Sequence, residues 1–146
     1  MSLAEALLPR IPSEAGVIAF VGAGGKTTAM FRLARELDER ELPVLVTTTT
    51  HLFDPRLDPG SPAGRFVLRP EMEFPCPAAT GVPGVEAGEG ITLLVSREAE
   101  VQGKVKGIHP SWIAALKPSW AFVLVEADGS KRLPAVSYTH SDAADE

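Results

Sequence analysis

The run VIAFVGAGGKTTAMFRLARE, Val17 to Glu36, sets an apolar strand directly against a glycine-rich turn that ends in Lys-Thr-Thr and opens an amphipathic helix. Few chain paths satisfy that order. A uniformly apolar strand needs cover on both faces, which places it inside a parallel sheet, and the helix that follows must lie back over that sheet. Between them, glycines at 22, 24 and 25 leave backbone amides open to close approach by an anion, and the helix presents its unpaired N–H groups and positive dipole end to the same point. This is the layout of a phosphate-binding loop, with Gly22, Ala23, Gly24, Gly25, Lys26, Thr27 and Thr28 as candidate nucleotide-binding residues.

The loop departs from the common GxxxxGK[ST] spacing, because Phe20 stands five before Gly25 and the first glycine is Gly22. It is the shorter GxxGKTT, a form also found in Mur-type ligases. In either form the lysine, Lys26, reaches the outer phosphates and the Thr27 hydroxyl meets magnesium. Thr28 lies near the inner phosphate.

Past the loop, Met30, Leu33, Ala34 and Leu37 recur at helical spacing, and Pro43 ends the helix before a second strand at Val44 to Thr48. Right-handed crossover puts that strand beside or near the first. Leu3 to Leu8 can make a turn or two of helix, closed by Pro9 and Pro12. Further strands are expected at Ile91 to Ser96 and Trp120 to Val125, with a short Pro-initiated helix at Pro110 to Leu116. Residues 54–90 hold seven prolines and six glycines, with at most a short strand at Phe66 to Leu68. That stretch reads either as a linker or as a surface excursion carrying substrate contacts. The expectation is an α/β, three-layer phosphate-loop NTPase-like fold with a mainly parallel sheet, spanning 1–135.

Composition narrows the partners. A net charge of -5 and a pI near 5.2 argue against a nucleic-acid backbone, which is held by clustered basic surface. One loop suffices for a nucleotide. Cys76 is the single cysteine, so no internal disulfide or cysteine cluster forms, which suits a reducing, cytoplasmic setting. It lies between two prolines with no histidine beside it and reads as a bystander thiol. The N-terminus has no basic lead to suggest a signal peptide, and no apolar stretch approaches the length of a membrane span.

Three other segments can carry chemistry. In FVLVEADGSKR, Phe122 to Arg132, a strand runs out into Glu126 and Asp128. In a phosphate-loop protein an acidic residue at the end of a neighbouring strand holds the magnesium shell or orients water. Asp128 is taken as the magnesium partner beside Thr27, and Lys26, Glu126 and Asp128 as the catalytic set. In TTTTH, Thr47 to His51, hydroxyls stand at the carboxyl end of the second strand, where open parallel sheets collect ligands, although threonine is also an ordinary strand residue. In KVKGIHPSW, Lys104 to Trp112, two lysines precede a glycine, which reads more readily as a solvated loop than as an anion site.

VGAGGKTT, VLVTTTTH, KVKG and LVEADGSK in this order and at these separations resemble the YqeC family of selenium-dependent hydroxylase accessory proteins. The resemblance covers roughly residues 15–134. It implies a protein that binds ATP or GTP with Mg2+ and assists maturation of selenium-dependent molybdenum hydroxylases. The partner would be such a hydroxylase or its cofactor-handling proteins, and the chemistry nucleotide hydrolysis or phosphoryl transfer. Two other readings share the loop: a Mur-type ATP-dependent ligase domain, and a nonenzymatic module that uses nucleotide as a docking switch. After LVEADGSKRLP the chain reads AVSYTHSDAADE, which departs from the family's continuation, so 136–146 is read as a non-native tail on a gene fragment.

Overall fold

The computed structural model describes residues 2–10, 16–22, 25–61, 64–77, 85–127 and, by backbone alone, 136–139. The strands are β1 (Val17–Val21), β2 (Val44–Thr48), β3 (His51–Phe53), β4 (Arg65–Leu68), β5 (Ile91–Val95), β6 (Arg97–Glu98), β7 (Lys104–Lys106), β8 (Phe122–Glu126) and β9 (Val136–Thr139). The helices are α1 (Leu3–Leu7), α2 (Lys26–Glu39) and α3 (Ile113–Leu116). Among the described residues no helix is long and apolar enough to cross a membrane.

Six strands form one sheet in the order β4-β5-β2-β8-β1-β9, with every pairing parallel. The protein is therefore α/β with a mainly parallel sheet. β1 and β2 do not touch as neighbours, because β8 runs between them, pairing Phe20 with Glu126 on one side and Thr48 with Glu126 on the other. Alternation along each strand divides the apolar side chains between two cores. Ile18, Phe20, Val46, Leu93 and Leu124 meet α1 and α2 on one face. Val17, Leu45, Leu94, Val123 and Val125 meet Trp112, Ile113 and Leu116 on the other. On α2 the side chains of Met30, Leu33 and Leu37 are fully buried, each contributing about 1.5–3 kcal/mol.

The described parts of 54–90 are drawn into this body more than a surface excursion would be. β4 extends the sheet beyond β5, and Met72 and Val85 are buried in the second core. The prolines shape it without excluding it. Pro55 and Pro70 open short 3-10 turns at Pro55–Leu57 and Pro70–Glu73, the first capped by Asp54, whose Oδ1 accepts from the Arg56 amide at 2.9 Å. A second, antiparallel sheet of order β3-β7-β6 stands at the carboxyl end of the main one. On the far side, β9 pairs in parallel with β1, from Ile18 opposite Val136 to Val21 opposite Thr139. The segment read from sequence as a tail thus gives β1 a backbone partner over 136–139, and 140–146 lie outside the described residues.

Candidate functional site

β1 ends and α2 begins within a few residues, and the backbone makes that corner through left-handed conformations that glycine adopts without strain. Gly22 has φ of 104° and Gly25, the N-cap of α2, has φ of 73°. The first helical hydrogen bond runs from the Ala29 amide to the Gly25 carbonyl at 3.0 Å, so Lys26, Thr27 and Thr28 occupy the first turn. Helix geometry leaves first-turn amides without intrahelical acceptors. Lys26 is partly exposed and has no ion-pair partner among the described residues. Ala23 and Gly24 lie outside those residues.

Thr27 turns toward β8, where its hydroxyl donates to the Glu126 carboxylate. Glu126 is only 6% exposed, at the last position of its strand. Its backbone is clamped from β2, since the Glu126 carbonyl accepts from the Thr48 hydroxyl at 3.1 Å and from the Thr49 amide at 3.1 Å. The next amide, Ala127, donates to the Phe20 carbonyl of β1 at 3.0 Å. The ends of β1, β8 and β2 are thus stitched together beside the glycine-rich turn. Asp128, with Gly129, Ser130 and Lys131, lies outside the described residues.

The threonine run divides its work. Thr47 donates to the Leu94 carbonyl at 2.6 Å, and the Thr48 hydroxyl accepts from the Thr50 amide at 3.1 Å. Thr49 Oγ1 is buried and has no hydrogen-bond partner among the described residues, a cost of about 1–3 kcal/mol unless another group, a ligand or water supplies one. His51 is exposed in β3 opposite Lys106. His109 caps the 3-10 turn at Pro110–Trp112, with Nδ1 accepting from the Ser111 amide at 3.1 Å. Cys76 is half-buried, and its amide donates to the Ser111 hydroxyl at 2.8 Å.

KVKG is not a solvated loop. Val105, Gly107 and Ile108 are buried, and Gly107 sits so close to Thr48 and Thr49 that a methyl group at its Cα would overlap the Thr48 carbonyl. The Gly107 amide donates to the Thr50 carbonyl at 2.7 Å and the Ile108 amide to that of Thr48 at 2.9 Å. Lys106 turns to Glu73, which it meets at 2.6 Å and which Arg97 also grips at 3.0 Å through both carboxylate oxygens. The Arg97 guanidinium, then Lys106, hold the Glu73 carboxyl down to about 2.

A cavity of about 380 Å³ opens beside the first turns of α2, running from Thr27 and Thr28 to the segment after β3. The sequence reading found neither this cavity nor the Gly107 contact nor the Glu73 cluster. A signal for the contact was present, in a glycine that directly follows the Lys104–Lys106 strand. Among the described residues no group of three or more His, Cys, Asp and Glu stands close enough to hold a metal ion. A cation here would rest on hydroxyls, one or two carboxylates and ligand oxygens, which is how magnesium is commonly held.

Comparison with known proteins gives a family. No solved structure matches the chain significantly. It is 35% identical over 123 residues to the Escherichia coli (strain K12) protein named "Uncharacterized protein YqeC", with 81% of this chain and 42% of that protein covered. The chain spans less than half the length of that relative. The profile of the family described as YqeC protein matches residues 18–138, from the first strand through the glycine-rich turn, the threonine run and the acidic strand end to β9, and the chain belongs to the YqeC family.

Proposed function

We propose that this protein has a phosphate-loop NTPase-like fold, binds ATP or GTP with magnesium on residues 22–28, and acts in the cytoplasm as an accessory in maturing selenium-dependent molybdenum hydroxylases. The observation that carries the nucleotide reading is the bond between Thr27, in the first turn of α2, and Glu126, at the end of the adjacent strand. A hydroxyl after the loop lysine and a carboxylate on the neighbouring strand are the two protein groups that such sites offer to magnesium. The Thr49 hydroxyl, buried without a partner among the described residues, adds a further hard oxygen at the same sheet edge. These donors fit the ion.

Lys26 would lie along the outer phosphates, and the first-turn amides of α2 would donate hydrogen bonds to the phosphate oxygens. Bound magnesium would supply charge neutralisation between the outer phosphates. Glu126, held at its carbonyl by Thr48 and Thr49 and at its carboxylate by Thr27, would share that ion or orient a water. Asp128, two residues on, is proposed to join it. The chemistry is nucleotide hydrolysis or phosphoryl transfer, and the maturation role, with a molybdenum hydroxylase or its cofactor-handling proteins as partner, rests on the family resemblance.

Calorimetry with magnesium-ATP and magnesium-GTP tests the site. Lys26→Ala is expected to weaken binding by at least about 100-fold, the loss of a charge-assisted contact of roughly 3 kcal/mol, while leaving the circular dichroism spectrum intact. Equal affinity in variant and parent would defeat the assignment.

A further inference from the structure

We propose that the cavity beside α2 is a second-ligand site, taking a small planar aromatic anion next to the outer phosphates of the nucleotide. Its volume, about 380 Å³, falls within the range of small-molecule sites, roughly 300–1,000 Å³. One wall is α2, where Phe31 and Arg35 follow Thr27 and Thr28 at successive turns; the other is the segment after β3, led by Phe53. Phe53 is 72% exposed, and the Lys104 ammonium lies 5.1 Å from its ring centroid, so most of the ring is open to a further contact.

The charged groups on the walls differ in their partners, and among the described residues Asp58 is met by a neutral amide and not by a cation. Both oxygens of Asp54 accept from Arg56, at 3.0 and 2.8 Å, and Asp58 gives an oxygen to the Gly60 amide at 2.9 Å. Arg32 is held back by Glu36 at 3.2 Å. Arg35 has no partner among the described residues, so the cation left to meet a ligand lies on the helix wall one turn after Phe31, with Phe53 on the other wall. Aromatic rings stack on such side chains, and a guanidinium takes a carboxylate or phosphate through paired hydrogen bonds.

Placement favours a second ligand over the nucleotide's own base. The sheet order sets β8 and β2 on one side of β1, and both Glu126 and the cavity-lining segment after β2 and β3 stand on that side. Thr27 turns the same way to reach Glu126, so the cavity adjoins the metal-facing, outer-phosphate end of the loop. That adjacency rests on the nucleotide reading, whereas the cavity's affinity for an aromatic anion does not.

The test uses the whole chain and 2-naphthoate as probe, titrated by calorimetry with and without a magnesium complex of a non-hydrolysable ATP analogue. The expected result is binding in both conditions, with cyclohexanecarboxylate and 2-naphthalenemethanol each at least about ten-fold weaker because one lacks the ring and the other the charge. Arg35→Gln and Phe53→Ser, both at exposed positions, should each weaken 2-naphthoate by about ten-fold and leave nucleotide affinity unchanged. Lys26→Ala should do the reverse. Probe binding that is absent from the parent, unchanged in both cavity variants, or displaced by the nucleotide analogue would overturn the proposal. Probe binding that depends on Arg35 and Phe53 in a protein that binds no nucleotide would uphold the cavity and sink the nucleotide reading.

Discussion

Two cavities bracket helix α2, and the larger one has the poorer chemistry. At the C-terminal end of the helix a space of about 590 Å³ is bounded by Asp38, Glu41, Leu42 and Pro43 on one side and residues 87–90 on the other. Its charged groups are all carboxylates. At the N-terminal end a smaller space, about 380 Å³, combines hydroxyls, two aromatic rings and a guanidinium with no partner among the described residues, at the carboxyl edge of the parallel strands. Volume measures only where the chain fails to fill space. A ligand site also needs groups that convergent strand ends and a helix N-terminus deliver, and those lie at one edge of an open parallel sheet.

The comparison breaks first at Gly107. If the carboxyl edge is rigid because KVKG packs on the threonine run, Gly107→Ala should cost about 3 kcal/mol in urea denaturation, since the Thr48 carbonyl cannot retreat without releasing Glu126. A loss under about 0.5 kcal/mol would mean the junction yields, and the edge would be no better ordered than the other end.

A smaller effect is expected at Glu73, which ties the Pro70–Glu73 turn to β6 and β7 through Arg97 and Lys106. Its folded value of about 2 lies below the ordinary 4.5, so its stabilisation is complete above about 4.5 and disappears as pH falls toward 2. Glu73→Gln should therefore flatten the loss of stability over that window, by an amount that solvent limits because the side chain is partly exposed. Parallel pH profiles for parent and variant would show that the cluster contributes nothing to this edge. The smallest effect belongs to the other cavity: Glu89→Gln should leave magnesium-nucleotide affinity within about two-fold, and a ten-fold change would reverse the ranking of the two ends.

The sequence made the strongly periodic parts readable. The apolar run at Val17–Val21, the 3.6-residue spacing of Met30, Leu33 and Leu37, and the strand at Val44–Thr48 coincide with β1, α2 and β2, because each is decided by burial within a few neighbouring residues. β3, β6 and β7 were not readable. They are two or three residues long, and each exists because a distant segment lies opposite, as Lys106 does for His51. The same holds for the site. The glycine-lysine-threonine turn is local and legible, whereas the Thr27–Glu126 bond joins residues 99 apart in the chain and can be inferred from sequence only as a possibility of strand order. The cavity beside α2 was hidden for a further reason: Phe31 and Phe53 are far apart in the chain, and only folding puts them on facing walls.

The position of β8 between β1 and β2 has a consequence for how the chain comes off the ribosome. Strands in a sheet stand about 4.8 Å apart, so β1 and β2, although synthesised early, leave a slot of about 10 Å that neither can close alone. Residues 122–126 must emerge before that slot fills, and with them arrives Glu126. Loop closure over so long an interval makes such pairing slow, so early translation products carry two unpaired apolar strand edges that a chaperone would recognise. The carboxylate that meets Thr27 is delivered by the same strand that fills the slot, and the outer edge of β1 is covered later, when residues 136–139 emerge.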